Sequence, residues 1–155
     1  MPSWMRLALW LLVGLTLSAG EIDKRMLAAH NAVRARLNLP ALVWSDRLAG
    51  VAKAWAEALL ETGRFVHRPN SRLGENLFTI SGGTASPEYA VRDWASESRY
   101  YDRRSNKCRD VCGHYTQIVW RNTVRVGCAV ARGRGREVWV CNYDPPGNVV
   151  GQRPY

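Results

Sequence analysis

The sequence predicts an α+β domain on three observations. The first half places apolar residues at helical spacing between cap signals. The last third alternates and is rich in valine. Two of the four cysteines fall where a hairpin would set them face to face.

Taken in chain order, the N-terminus comes first. Arg6, an apolar run from Leu7 to Leu17 and the small residues Ser18, Ala19 and Gly20 have the three parts of a secretory signal peptide, with cleavage before Glu21. The run is about half of the roughly 20 residues that a spanning helix requires, so no stable membrane insertion is expected. Residues 1–20 are read as a leader and residues 21–155 as one domain.

Ile22, Met26, Ala29, Val33 and Leu37 repeat at helical spacing, with Pro40 soon after, and predict a first helix over Ile22–Leu37. Ser45 can cap a second helix with a stripe of Leu48, Val51, Ala52, Trp55 and Leu59, and Gly63 can end it. Residues 65–74 read as an irregular polar loop carrying His67. Ser86 followed by Pro87 starts a third helix, since the Ser oxygen satisfies free amides and Pro has none to lose; it is expected to run to about Tyr101.

Val124–Ala131 and Glu137–Tyr143 alternate around the turn GRGR at 133–136, which predicts a hairpin. A turn centred on Arg134 and Gly135 sets Cys128 directly opposite Cys141, within reach of a cross-strand disulfide. Cys108 and Cys112 lie close together in a turn-rich stretch, where a tight local bridge is natural. An even cysteine count after a signal peptide reads as disulfides, and the spacing does not suit a zinc ribbon.

The chain has 22 Lys and Arg against 13 Asp and Glu, a formal net charge of +9. That balance favours anionic surfaces: envelopes, acidic polysaccharides or nucleic acid. The arginines are scattered along the sequence rather than gathered into a basic run, and the leader argues for export, so a nucleic-acid partner is not expected.

Of three histidines, His30 lies beside the first helix's apolar stripe and reads as a structural residue bonded to a neighbouring loop. His67, in FVHRP, and His114, in CGHYTQIVW, stand in loops that can present an imidazole, the commonest protein metal ligand. Two carboxylates accompany them. Glu75 is flanked by Leu73, Leu77 and Phe78, while Glu97 shares the inward face of the third helix with Ala90, Trp94 and Tyr101. A half-buried carboxylate is costly unless it meets a cation, a donor or a metal. No GxSxG elbow, HExxH or phosphate loop is present. The many tryptophans and tyrosines, at helical or alternating spacing, read as core.

Several runs together resemble one family. GHYTQIVWRN at 113–122 and VWVCNYDPPGN at 138–148 look like the two signature segments of the CAP superfamily of pathogenesis-related-1, venom-allergen and sperm-coating proteins. HNAVRARLNLPALVWSDRLAGVAKAWA from His30, GENLF from Gly74 and the tryptophan-to-glutamate spacing of DWASE match in family order and cover essentially the whole mature chain. The likeness to the plant pathogenesis-related-1 group implies a three-layer α-β-α sandwich and a cleft lined by His67, Glu75, Glu97 and His114. In relatives the two histidines can hold a divalent metal such as zinc, here His67 and His114, weakly. Sterol or lipid binding, antimicrobial action and immune signalling are reported across the family, without a general catalytic activity. Plant members usually carry a further pair of cysteines, one before GENLF and one shortly after Cys128. If those two pair with each other, their joint loss leaves a consistent four-cysteine version with a freer His67 loop.

The resulting expectation is a secreted, monomeric protein, periplasmic if bacterial, that binds sterol, lipid or anionic envelope components. It is more a binding module than an enzyme. The alternatives are a zinc-dependent hydrolase with a glutamate base and, on resemblance alone, a precursor that releases its C-terminal segment PPGNVVGQRPY as a signalling peptide.

Overall fold

Helix α1, Ala19–Ala35, begins where the Ser18 hydroxyl accepts the Glu21 N–H. The computed structural model describes residues 18–155, so the expected leader, residues 1–20, lies outside the described residues except for residues 18–20, which supply that cap and first turn. The helix ends at Ala35 instead of Leu37. The Arg34 carbonyl accepts the N–H groups of Leu37 and Leu39, and Asn38, at φ 53°, reverses the chain.

Helix α2, Asp46–Thr62, has the termini its sequence announces: Ser45 Oγ accepts the Leu48 N–H, and Gly63 takes a left-handed φ of 70°. Helix α3, Pro87–Ser96, starts at the Ser86 cap with Pro87 in its first turn. It stops well short of Tyr101. Glu97–Tyr100 wind into a 3₁₀ turn and Tyr101 enters a strand, so Ala90, Trp94, Glu97 and Tyr101 do not form one α-helical face. The reason is visible at Glu97, whose carboxylate turns to accept the free N–H groups of His114 and Tyr115 at the start of helix α4, Gly113–Ile118.

The strands are β1 Val43–Trp44, β2 Gly74–Ser81, β3 Tyr101–Asp102, β4 Lys107–Cys108, β5 Arg125–Gly133 and β6 Arg136–Asp144. One sheet has the order β1-β5-β6-β2, with β1 parallel to β5 and the remaining pairs antiparallel; β3 and β4 pair separately. The hairpin register is the one the cysteines predict. Cys128 opposes Cys141, Arg134 and Gly135 both take positive φ as a type I′ turn requires, and the bridges are Cys128–Cys141 and Cys108–Cys112.

Alternation along β6 divides the core. Val138 and Val140 pack with Ala52, Ala56 and Leu59 of α2, whereas Trp139, Cys141 and Tyr143 pack with Met26 of α1 and with Trp94 and Ile118. Helices therefore cover both faces, and the architecture is the three-layer α-β-α sandwich. Gly127 permits the close approach of α2, since a β-carbon there would lie 2.3 Å from Ala49 N.

Beyond β6 the chain runs back over the molecule as a strap. Gly147 N–H donates to Gln117 Oε1, Asn148 bridges Thr116 Oγ1 and the Gly113 carbonyl, and the Pro154 carbonyl accepts from Arg121 N. Beneath it Arg34 is wholly buried. Its guanidinium donates to the carbonyls of Pro40, Ile118 and Trp120 at 2.8–2.9 Å.

Candidate functional site

His67 comes from the loop between α2 and β2, and Glu75 is the second residue of β2. Nδ1 of His67 meets Glu75 Oε1 at 2.7 Å, and the Arg68 N–H donates to the same oxygen at 3.1 Å. The Glu75 side chain is 5% exposed while His67 is 64% exposed, so a buried carboxylate carries an accessible ring. Glu75 Oε2 is buried with no hydrogen-bond partner. The Trp55 indole secures the loop by donating to the Val66 carbonyl at 3.2 Å.

The second pair is built on α4. Nδ1 of His114 meets Glu97 Oε1 at 2.7 Å, while Glu97 Oε2 accepts the N–H groups of His114 at 3.0 Å and Tyr115 at 3.3 Å. One carboxylate thus caps the helix and orients its histidine. The Trp94 ring stacks on His114 with centroids 6.3 Å apart and planes at 17°, and the Cys108–Cys112 bridge stakes down the entry to α4.

A carboxylate accepts, so in both pairs Nδ1 carries the proton, and in the neutral ring Nε2 has the lone pair, the arrangement of histidines that ligate metal. Imidazole and carboxylate are donors that suit zinc, and an orphaned buried oxygen such as Glu75 Oε2 lacks the cation or donor that burial normally demands. The residues fit the group the resemblance implies.

The four expected residues form two pairs, His67 with Glu75 and His114 with Glu97. Their link is Asn76, next to Glu75 in β2, whose amide donates to the His114 carbonyl at 3.1 Å. Among the described residues the one group of three or more His, Cys, Asp or Glu with ligand atoms within 4.8 Å of one another lies elsewhere: His30, Cys128 and Cys141. That group offers no free ligand. The sulfurs are bonded to each other, His30 Nδ1 donates to the Met26 carbonyl, and His30 Nε2 faces the Tyr143 hydroxyl at 2.8 Å.

His30 is structural, as its position predicts, but its partner is a strand residue and not a loop. The ring is fully buried, with Nε2 turned to Tyr143 on β6. Burial, with a smaller contribution from the Arg34 charge, pushes His30 down to about 4 against the opposing Met26 bond. Asn76, Tyr143, Trp94 and Arg34 all support the site, and the sequence reading missed each of them in that role. The nearest signal for Asn76 and Trp94 was membership in GENLF and DWASE.

The sequence model of the CAP (cysteine-rich secretory protein) family matches residues 27–143. The chain belongs to the CAP family. This CAP protein is 43% identical to pathogenesis-related protein 1B of Nicotiana tabacum over 100% of its own length and 95% of that protein's. It is 42% identical to pathogenesis-related protein 1 of Arabidopsis thaliana, covering 90% of this chain and 86% of that one. Among solved structures it resembles Schistosoma mansoni venom allergen-like protein 4, with a TM-score of 0.74 and 26% identity over 90% of this chain and 95% of that one. It also resembles NaASP2 with Zn2+, with a TM-score of 0.71 and 25% identity over 85% of this chain and 83% of that one.

Proposed function

We propose that this CAP protein is a secreted defence protein that binds lipid, sterol or anionic envelope components, and that its cleft holds a divalent metal such as zinc weakly through His67 and His114. The observation that carries the metal reading is the repeated pair: each Nδ1 rests on a carboxylate, which leaves Nε2 as the ligand atom. Bound there, zinc would act as a cross-link between the His67 loop and α4. A two-histidine donor set favours weak, exchangeable metal over the three firm protein ligands typical of catalytic zinc.

The defence reading rests on the pathogenesis-related relatives, and the secreted reading on the leader and the two disulfides, which an oxidising compartment maintains. Binding without turnover is favoured because Glu75 Oε1 and both Glu97 oxygens are engaged by histidine Nδ1 or backbone N–H groups, the role of orienting groups rather than of a free base.

The experiment is zinc calorimetry on wild type, His67→Ala and His114→Ala, with Glu75→Gln and Glu97→Gln alongside. Both alanine variants should lose measurable binding, and the glutamine variants should weaken it about tenfold or more. Unchanged affinity in both alanine variants removes the metal from the cleft. A zinc-dependent turnover of peptide, ester or glycan substrates that is present in wild type and lost in both glutamine variants makes the protein a hydrolase instead.

A further inference from the structure

A basic stretch of the sequence is joined in the fold by a distant cation. Residues 99–109 carry Arg99, Arg103, Arg104, Lys107 and Arg109, all exposed. The strap adds Arg153, whose guanidinium donates to the carbonyls of Arg103 and Arg104. Six exposed cations thus come from two distant segments that the strap holds together.

The acids in and beside that stretch are engaged by local hydrogen-bond donors. Asp102 accepts from Arg104 N at 2.9 Å and Ser105 Oγ at 2.7 Å, and Asp110 accepts from Val111 N at 2.7 Å. Among the described residues none of the six cations forms an ion pair, whereas Arg25, Arg47, Lys53, Arg125 and Arg132 elsewhere each meet a carboxylate. A cluster of like charges without counter-ions stores repulsion that an external anion relieves.

The same two parts of the chain carry bare aliphatic groups. Asn148 donates to the Gly113 carbonyl, and Asn106 donates to the Gln152 carbonyl. The strap is therefore pinned at both ends alongside the segment that contains Val111. Between the pins stand Val149 and Val150, the latter 97% exposed, with Val111 also exposed across from them. Under this surface the Tyr115 and Tyr155 hydroxyls meet at 2.8 Å and Arg103 lies over the Tyr155 ring at 4.7 Å, so it has a packed base.

Unpaired cations with projecting valines match an anionic bilayer, where the headgroups take the charge and the boundary region takes the aliphatic tips. A polyuronate or nucleic acid would use the cations and leave the valines in water. Among the described residues no helix is long and apolar enough to cross a membrane. We propose that this face, built from residues 99–113 and 148–153, docks the protein on anionic phospholipid membranes. The proposal deepens the envelope-binding part of the reading above and is independent of its metal.

The test is co-sedimentation with vesicles of phosphatidylcholine alone and of phosphatidylcholine mixed with phosphatidylglycerol, with free polygalacturonate as a competing probe. Wild type should bind the anionic vesicles, release with salt and ignore the neutral ones. Each cation near such a surface contributes a factor of about five, so Arg104→Gln with Lys107→Gln should weaken binding about twenty-five-fold. Val150→Asp should weaken it about tenfold. Arg64→Gln with Arg134→Gln removes the same charge near the hairpin turn, about 30 Å along β6 from the start of the strap, and should change binding less than about threefold. Equal loss in that control, equal binding to both vesicle types, or capture by polygalacturonate with none by vesicles overturns the proposal. None of the substituted residues lies in the cleft, so a failure of zinc binding and a failure of membrane docking are read separately.

Discussion

The hydroxyl of Tyr143 donates to Nε2 of His30 across the core at 2.8 Å. The direction follows from His30 Nδ1, which must donate to the Met26 carbonyl. The Tyr143 oxygen in turn accepts from Asn76 at 3.1 Å, and the other Asn76 hydrogen reaches the His114 carbonyl. His30, Tyr143 and Asn76 are buried, so one missing atom among them leaves a partner orphaned. Tyr143→Phe should cost about 1–3 kcal/mol of stability, measured by urea unfolding. An unchanged midpoint with unchanged slope would show that the chain of bonds carries no stability.

Because burial holds His30 near 4 while the unfolded ring titrates near 6.5, the unfolded state takes up its proton first as pH falls. The contribution is fully present above about pH 6.5 and is lost progressively down to about pH 4, for a total of about 3 kcal/mol. Unfolding free energy measured across that window should fall accordingly, and His30→Gln should flatten this part of the profile. A profile of the same slope in the variant assigns the loss to other groups.

Arg34 is a buried cation held by carbonyls alone, and burial pulls it down to about 10, which leaves it charged at neutral pH. Arg34→Met removes the donors from three main-chain carbonyls at once and should cost about 3–5 kcal/mol. Thermal unfolding checks it, and a loss below about 1 kcal/mol would mean that water replaces the guanidinium.

Removing the Cys128–Cys141 bridge as a double alanine variant should cost about 3 kcal/mol, since it closes a loop with a sequence separation of 13. The Cys108–Cys112 bridge, with a separation of 4, should contribute about 1 kcal/mol less to global stability. Non-reducing peptide mapping should recover these two linkages, and melting of the two variants should give that order.

What was legible in the sequence was local chemistry. Ser45 with Gly63 and Ser86 with Pro87 mark helix ends because caps are made within a few residues, and the β5–β6 register followed from one turn and one cysteine pair. Each histidine and glutamate of the two pairs sits in a short motif, which is why the sequence singles them out, but the pairing of His67 with Glu75 and of His114 with Glu97 is a matter of the fold. Glu97 misled at longer range: its helical spacing was right, but a hydrogen bond to α4 ended the helix early. Arg34 and Asn76 were invisible as supports, since the carbonyls and hydroxyl they serve come from segments far along the chain. The place of Arg153 beside the basic stretch at 99–109 was hidden for the same reason, because it joins that stretch only through the folded strap.

The strap also sets an order of events during synthesis. Chains emerge from the ribosome N-terminus first, at about 5–20 residues per second. His67, Glu75, Glu97 and His114 all leave before residues 147–148, yet Thr116, Gln117 and Gly113 of the His114 helix are fastened by Gly147 and Asn148. Until residues 147–148 arrive, the helix that carries His114 lacks these fastenings. The site reaches its final form only after the sheet that frames it is complete.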